Sequence, residues 1–407
     1  MLRQAVVLCG GLGSRLGDLT ASTPKVLLPV SGRPFLDHLL QEICRFGFEE
    51  IVLLAGHMAE QLFDRYHDKR FGTALLRVRA ERAPAGTAGA LRDALDLLDP
   101  VFLLCNGDSW LDADLTLFQR SWDLAQSRTA PPAPSMHVLL AHVDDRSRYG
   151  TMEFSGSRIT GFGEKTTESV PSRGLINAGV YIIVRRVLVA IPPGQPFSME
   201  ADLLPAQVRE GRVTGHAVPS STYFIDIGVP GDYRRAQIEV PARRRRAAVI
   251  FDRDGTLNED AGYTHRVEDL RWIDGAIDAV RAVNRSGRWA MVATNQSGLA
   301  RGLYEEKHFL LFHREMQRQL YRHGAHIDGL LWCPHHPEGS AMPLACECDC
   351  RKPAPGLLKR FLREWPIEPA ATIVIGDKPS DMEAARAAGL RGVLFTGGRL
   401  DDYLAPG

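Results

Sequence analysis

Six short, β-branched apolar runs punctuate the chain: AVVLCG, EIVLLAG and VFLLCNGD early, then AAVIFDRDG, WAMVATN and TIVIGD late. Continuous apolarity over so few residues marks strands buried on both faces, as in parallel sheets. Between the runs lie stretches such as PFLDHLLQEICRFG and GAIDAVRAVNRSG, whose apolar residues return every three or four positions before a glycine, as in amphipathic helices. Alternation of the two predicts α/β architecture in both halves. A chain of 407 residues exceeds what one core usually supports, so two domains are expected. The boundary falls in VPARRRRAAVIFDRDG. This predicts a domain over 1–240, a solvated basic linker over 241–246 and a second domain over 247–407. Four arginines without neighbouring aromatics read as a linker, not a nucleic-acid site. PPAPS, ending at Ser135, reads as a loop inside the first domain.

Lys plus Arg equals Asp plus Glu, 49 each, so no global field draws the chain to nucleic acid or to an anionic membrane. Any phosphate binding must be local. The start, MLRQAVVLCGGLG, turns polar and glycine-rich too soon for a signal peptide, and no apolar run could span a bilayer, so a cytoplasmic enzyme is expected. Of seven cysteines, Cys9, Cys44 and Cys105 sit among apolar residues and read as small buried hydrophobes. The other four crowd together late in the chain.

In the first domain the opening strand runs into CGGLGSRL. Gly10, Gly11 and Gly13 let backbone N–H groups approach phosphate oxygens closely. The motif alone is weak: it lacks P-loop spacing, and Leu16 stands where a dinucleotide fingerprint needs glycine. Arg15 and Lys25 add cations able to neutralise a triphosphate and departing pyrophosphate. Asp108 and Asp226 each follow an apolar run; alone, each reads equally as a turn residue, and together they can hold Mg²⁺. With PAGTAGAL, GFGEK and INAGVYI, these motifs resemble, in content and order, the sugar-phosphate nucleotidyltransferases. The resemblance covers roughly residues 1 to 240 and implies a Rossmann-like nucleotidyltransferase domain. It assigns Gly10, Gly11, Gly13 and Arg15 to the nucleotide phosphates and Lys25 to the reacting phosphoryl groups. It assigns Gly86, Thr87, Ala88 and Gly89 to base and ribose, Glu164, Lys165 and Asn177 to the sugar phosphate, and Asp108 and Asp226 to Mg²⁺. Many relatives carry a further extension after this domain; here a different domain follows.

In the second domain Asp252 and Asp254 stand two residues apart at a strand end, which puts both carboxylates on one side. One can attack phosphorus while the other moves a proton. A lone DxDGT is also compatible with a calcium-loop fragment or a turn. Thr294, Lys352 and Asp377 follow in VATNQSG, CRKPAPG and VIGDKPSD. The set resembles the haloacid dehalogenase phosphatases. That resemblance makes Asp252 the nucleophile and Asp254 the acid/base. Mg²⁺ falls to Asp252, Asp377 and the main-chain carbonyl of Asp254, and Asp381 becomes a brace. Cys333, His335, Cys348 and Cys350 form C-x-H…C-x-C, suited to a structural, tetrahedral Zn²⁺ site that aims Arg351 and Lys352. Cys346 and His336 are spare candidates. The zinc loop, GYTHRVEDLRWIDG and NQSGLARG narrow the resemblance to heptose bisphosphate phosphatases and the related histidinol-phosphate phosphatases. It implies substrate contacts at Asp260, Ala261, Gly262 and Tyr263, at Thr294, Asn295, Gln296 and Ser297, and at Arg351.

Removing the 7-phosphate of a heptose 1,7-bisphosphate leaves a sugar 1-phosphate, which a nucleotidyltransferase consumes. The first domain is similar to heptose 1-phosphate guanylyltransferases, which implies GTP as the nucleoside triphosphate and GDP-heptose as product. The same folds also suit mannose 1-phosphate with histidinol phosphate, or one catalytic domain beside a sugar-nucleotide sensor.

Overall fold

The computed structural model describes residues 1–81, 83–128, 132–145, 151–163 and 173–404. They form two compact units: Met1–Ile43 with Phe48–Val240, and Pro241–Gly407 with Cys44–Gly47.

The first unit is built on a ten-stranded mixed sheet. Within it Val101–Asn106, Gln4–Leu8, Glu50–Ala55 and Ala74–Ala80 lie side by side, all parallel. Gly174–Val184 then joins antiparallel to Val101–Asn106. Three of the apolar runs are thus adjacent strands, and alternate residues such as Val6, Val52, Leu54 and Leu104 share one core. In register, Leu8 lies opposite both Leu54 and Asn106, and Ala55 opposite Ala80. The segments that follow these strands therefore leave one edge of the sheet together, the edge where open α/β sheets bind ligands.

Residues 241–246, expected as a solvated linker, include three exposed residues, Ala242, Arg243 and Arg245, but are helical as far as Arg244. The helix Pro230–Arg244 continues through Pro241, Arg244 is buried, and Arg246 makes a parallel bridge to Ile367. Proline inside a helix normally orphans the carbonyl four residues earlier. Here that carbonyl, on Gln237, accepts the Ser31 hydroxyl at 2.7 Å. The interruption costs no unsatisfied backbone group, and the helix persists.

The second unit holds a five-stranded, all-parallel sheet in the order Gly329–Cys333, Trp289–Asn295, Ala248–Phe251, Ile373–Gly376, Arg391–Leu394. Along the strand Ala248–Phe251, Val249 and Phe251 enter one core while Ala248 and Ile250 enter the other. Both sheet faces are covered, by helices that include Ala276–Arg285, Glu306–Arg322, Gly356–Glu364 and Pro379–Ala387. Among the described residues no helix is long and apolar enough to cross a membrane.

Candidate active sites

In the first unit, the turn after Gln4–Leu8 opens on a cleft of about 450 Å³ whose walls include Gly10, Gly11, Arg15, Lys25, Asp108 and Asp226. Lys25 is buried, its Nζ 2.5 Å from Asp108 Oδ2 and 3.7 Å from Asp226 Oδ1. Two chain-distant aspartates meet because Phe224–Asp226 pairs antiparallel with Ser109–Leu111, placing Asp226 opposite Ser109. Burial, and then the Asp108 charge, push the Asp226 carboxyl above the usual range against the pull of Lys25 and Arg15. Two carboxylates sharing one ammonium in this cleft are a donor set that accommodates a divalent cation. The charges also crowd Gly228: a Cβ there would press on the Asp226 carboxylate and the Lys25 ammonium and displace them. The Gly228 N–H donates instead to Asp226 Oδ1 at 2.6 Å.

Not every residue expected at the nucleotide lines the cleft. Gly86 and Thr87 line the cleft. Ala88 and Gly89 are buried, and their N–H groups donate to the Phe197 carbonyl at 2.9 and 3.0 Å, docking the helix Gly86–Asp93 onto the segment behind it. Asn177 is buried too; its Nδ2 donates to the Tyr181 hydroxyl at 2.6 Å, and Tyr181 is the residue that reaches the cleft. Glu164 and Lys165 lie outside the described residues. Sequence reasoning missed Glu81, Ser198 and Glu200, which also line the cleft. None belongs to a recognisable motif, and only the fold brings them there.

In the second unit, Asp252 leaves the central strand into a buried position. Lys352 Nζ lies 2.8 Å from Asp252 Oδ1 and 2.6 Å from Asp381 Oδ1, and donates to the Ala293 carbonyl at 2.8 Å. Burial opposes the ammonium charge, but the two carboxylates outweigh it and hold Lys352 above its ordinary range. Burial pushes Asp252 up as well, helped by Asp381, and it pushes Asp377 up. One carboxylate oxygen from each of Asp252, Asp377 and Asp381 lies within 4.8 Å of the others. Asp377 Oδ1 is buried without a partner among the described residues, the mark of a group awaiting a cation. These hard oxygen donors fit Mg²⁺. The Asp254 carboxylate is not in the group, so any contribution from Asp254 comes through its main-chain carbonyl.

The Asp254 carboxylate is instead held by Arg253, with Nη2 at 2.8 Å from both oxygens, by Asn258 Nδ2 at 3.0 Å and by Gln296 Nε2 at 3.0 Å. Arg253 is fully buried, its guanidinium 4.7 Å from the Phe312 ring centre. Nothing in DRDGT separates this arginine from a surface one, because the rings that bury it, Phe309 and Phe312, come from a helix far along the chain. Removing one partner of a buried ion pair leaves an uncompensated charge. Arg253→Met is therefore expected to lose about 3 kcal/mol of stability in urea denaturation, with phosphate release falling about 100-fold as Asp254 loses its orientation. A loss below about 1 kcal/mol, within the range of exposed pairs, would show the pair to be dispensable.

Three residues expected at the substrate play supporting parts. Gln296 is buried and also donates to Thr294 Oγ1 at 2.9 Å while accepting the Tyr304 hydroxyl at 2.6 Å. Asn295 clamps the Lys352 main chain, donating to its carbonyl and accepting its N–H, both at 3.0 Å. Asp260 pairs with Lys378 at 3.3 Å and accepts the Gly262 N–H at 3.0 Å. Tyr263 is 44% exposed, so its ring remains available at the rim. Ala261 anchors the same loop by donating to Thr264 Oγ1. Ser297 follows Gln296, half-buried. Arg351 Nη1 and Arg301 Nε are buried without partners among the described residues, and two such guanidinium groups favour an anion.

The cysteine cluster divides cleanly. Cys350 Sγ lies 3.1 Å from Cys333 Sγ and 3.4 Å from Cys348 Sγ, Cys333 to Cys348 is 3.5 Å, and His335 Nδ1 is 3.3 Å from Cys350 Sγ. All three cysteines are free of disulfides. A zinc tetrahedron with bonds of ~2.3 Å has edges of about 3.8 Å, so the cage is slightly tighter than a filled one. Cys346 is exposed and outside the cluster. His336 faces Arg301 Nη2 at 3.2 Å and accepts the Glu338 N–H at 3.1 Å.

A nucleotidyl transferase family model matches residues 4–243, and a HAD-hydrolase-like model matches 349–404. The chain belongs to the nucleotidyl transferase family and, by the relatives that follow, to the D-glycero-beta-D-manno-heptose-1,7-bisphosphate 7-phosphatases. The phosphatase of Yersinia pestis is 44% identical over 143 residues, covering 35% of this chain and 76% of the relative. That of Rhodopseudomonas palustris is 41% identical over 160 residues, covering 39% and 89%. Among solved structures, HddC from Yersinia pseudotuberculosis complexed with GMP-PN is 28% identical, with a TM-score of 0.50, covering 58% of this chain and 98% of HddC. The chain thus joins a nucleotidyltransferase to a sugar bisphosphate phosphatase.

Proposed function

We propose that the second unit removes the 7-phosphate of D-glycero-D-manno-heptose 1,7-bisphosphate. The first unit then transfers GMP from GTP to the resulting heptose 1-phosphate, releasing pyrophosphate. The observation that carries this reading is the buried Asp252–Lys352–Asp381 group beside Asp377, in a chain that also carries a cleft of about 450 Å³ where Arg15 and Lys25 meet Asp108 and Asp226. Asp252 attacks phosphorus in line and forms an aspartyl phosphate. Asp254 gives its proton to the leaving alkoxide, then takes one from the water that frees the enzyme. Lys352 and the Thr294 hydroxyl offset charge on the phosphoryl oxygens. In the first unit the sugar phosphate oxygen attacks the α-phosphorus directly, and Arg15 and Lys25 neutralise the departing pyrophosphate. Mg²⁺, held by Asp252, Asp377 and the Asp254 carbonyl in one unit and by Asp108 and Asp226 in the other, supplies further charge stabilisation. Zn²⁺ on Cys333, His335, Cys348 and Cys350 is structural. The product, GDP-heptose, serves surface polysaccharide or lipopolysaccharide assembly, and we place the enzyme in the cytoplasm, with its nucleotide substrate.

The test offers both anomers of the bisphosphate with each nucleoside triphosphate and follows phosphate and pyrophosphate separately. Phosphate is expected from the bisphosphate without nucleotide, and pyrophosphate only when GTP is added. Phosphate release from histidinol phosphate in preference to the bisphosphate would overturn the sugar assignment.

A further inference from the structure

We infer that Tyr304 is a positioning residue of the phosphatase site: its hydroxyl holds the Gln296 amide in the one orientation that leaves the Thr294 and Asp254 protons free for the substrate. The inference rests on the phosphatase reading of the second unit and deepens it.

Three neighbours meet at this amide. Gln296 Nε2 donates one hydrogen to Asp254 Oδ2 at 3.0 Å and the other to Thr294 Oγ1 at 2.9 Å, while Gln296 Oε1 accepts the Tyr304 hydroxyl at 2.6 Å. Gln296 and Tyr304 are both buried. Burial pushes the Tyr304 phenol up to about 12, so it remains a donor at neutral pH. The ring is fixed from two sides. His265 stacks on it, with ring centres 4.4 Å apart and 17° between the planes, and a Cβ on Gly298 would strike both the ring and its hydroxyl. Gly298 lies outside the left-handed region, so what its missing side chain provides is room for this ring.

The orientation of the amide decides where two protons point. A hydroxyl carries one donor and two acceptor sites. Because Thr294 Oγ1 accepts from Gln296, its own proton is free for a phosphoryl oxygen. Asp254 Oδ1 already accepts from Arg253 Nε and Nη2 and from Asn258 Nδ2, which leaves Oδ2 as the oxygen with room for the transferable proton. As Asp252 bonds to phosphorus and the bond to the leaving oxygen breaks, that proton passes to the leaving oxygen. Turned over, the amide would set Oε1 against both groups. It would then accept from the Thr294 hydroxyl and from protonated Asp254, and both protons would be tied up within the protein. Tyr304 opposes the flip, because an amide NH₂ is a donor only and would leave the buried phenol proton without its acceptor.

Tyr304→Phe in the full chain removes one oxygen and keeps the ring. With the heptose 1,7-bisphosphate, kcat for phosphate release is expected to fall about 10-fold, the scale of one hydrogen bond, while KM stays within about twofold. A second substrate, p-nitrophenyl phosphate, separates this from general damage, because its leaving group departs without a proton. Its first-turnover burst is expected to fall by no more than about threefold, through Thr294 alone. Gln296→Met removes the amide, and in that background Tyr304→Phe is expected to change kcat by less than about twofold, because the phenol acts through the amide. Pyrophosphate release by the first unit, at the native rate in Tyr304→Phe, shows the chain intact. An unchanged kcat in Tyr304→Phe, an equal fall on both substrates, or additive losses in the double variant would overturn the inference and leave the phosphatase reading standing. If the native chain releases no phosphate from the bisphosphate, that reading falls, and this inference with it.

Discussion

Asp252→Asn is expected to abolish phosphate release from the bisphosphate, by about ten-thousand-fold or more, while pyrophosphate release from heptose 1-phosphate proceeds at the native rate. The amide matches the carboxylate in shape but is no nucleophile, so neither attack nor aspartyl phosphate formation can occur. The fold should tolerate the change. Asp252 is buried, its charge is penalised there, and Lys352 keeps its 2.6 Å ion pair with Asp381 when the Asp252 charge is removed. Measured in chelator, the thermal midpoint of the variant should equal or exceed the native one. Separate assays of the two products on one preparation make the check internal. Phosphate release near the native rate would remove Asp252 from the chemistry. Loss of both activities would show that the substitution had damaged the whole chain.

Cys350→Ser is expected to empty the Cys₃His cage of zinc and to lower phosphate release about 100-fold, the scale of a misplaced catalytic group. None of residues 334–350 is buried, so this long excursion has no apolar core to fold around. On the proposed reading a structural metal substitutes for that core, and such sites supply apparent binding energies of ~10 kcal/mol or more. A serine hydroxyl remains protonated and cannot replace the thiolate. The damage should stay local, because the strand and helix cores of the unit contain no residue of that stretch apart from partly buried Leu344, Cys348 and Cys350. Lys352 stands two residues beyond Cys350, and Asn295 alone would be left to hold its main chain. Elemental analysis should find zinc lost, and limited proteolysis should cut the variant within 334–349 while the remainder resists. Full activity and full resistance in a zinc-free variant would sink the structural role.

Much of this protein is legible in its sequence, and the reasons are local. Apolar runs of strand length, helical periodicity and glycine stops report the solvent that each segment can tolerate, so the α/β alternation and both parallel sheets follow from the residues. DxDGT and the glycine turn declare themselves because close approach to phosphate restricts which residues can stand there. Arg243 and Arg245 are exposed, as their charge suggests, but a helix with its freed carbonyl capped by Ser31 could run on and bury Arg244.

What remained depended on neighbours that the order of residues does not name. Spacing singled out Cys333, Cys348 and Cys350 but kept Cys346 as a spare; interatomic distances in the folded loop leave Cys346 out. It could not distinguish Gln296 and Asn295, which brace Asp254 and Lys352, from residues that touch substrate. Nor could it find Arg253 behind Asp254, or Glu81 in the wall of the cleft. Local chemistry determined the architecture and the reacting groups. Only tertiary contact, which decides what each charge is buried against, determined which side chains face a ligand and which hold those that do.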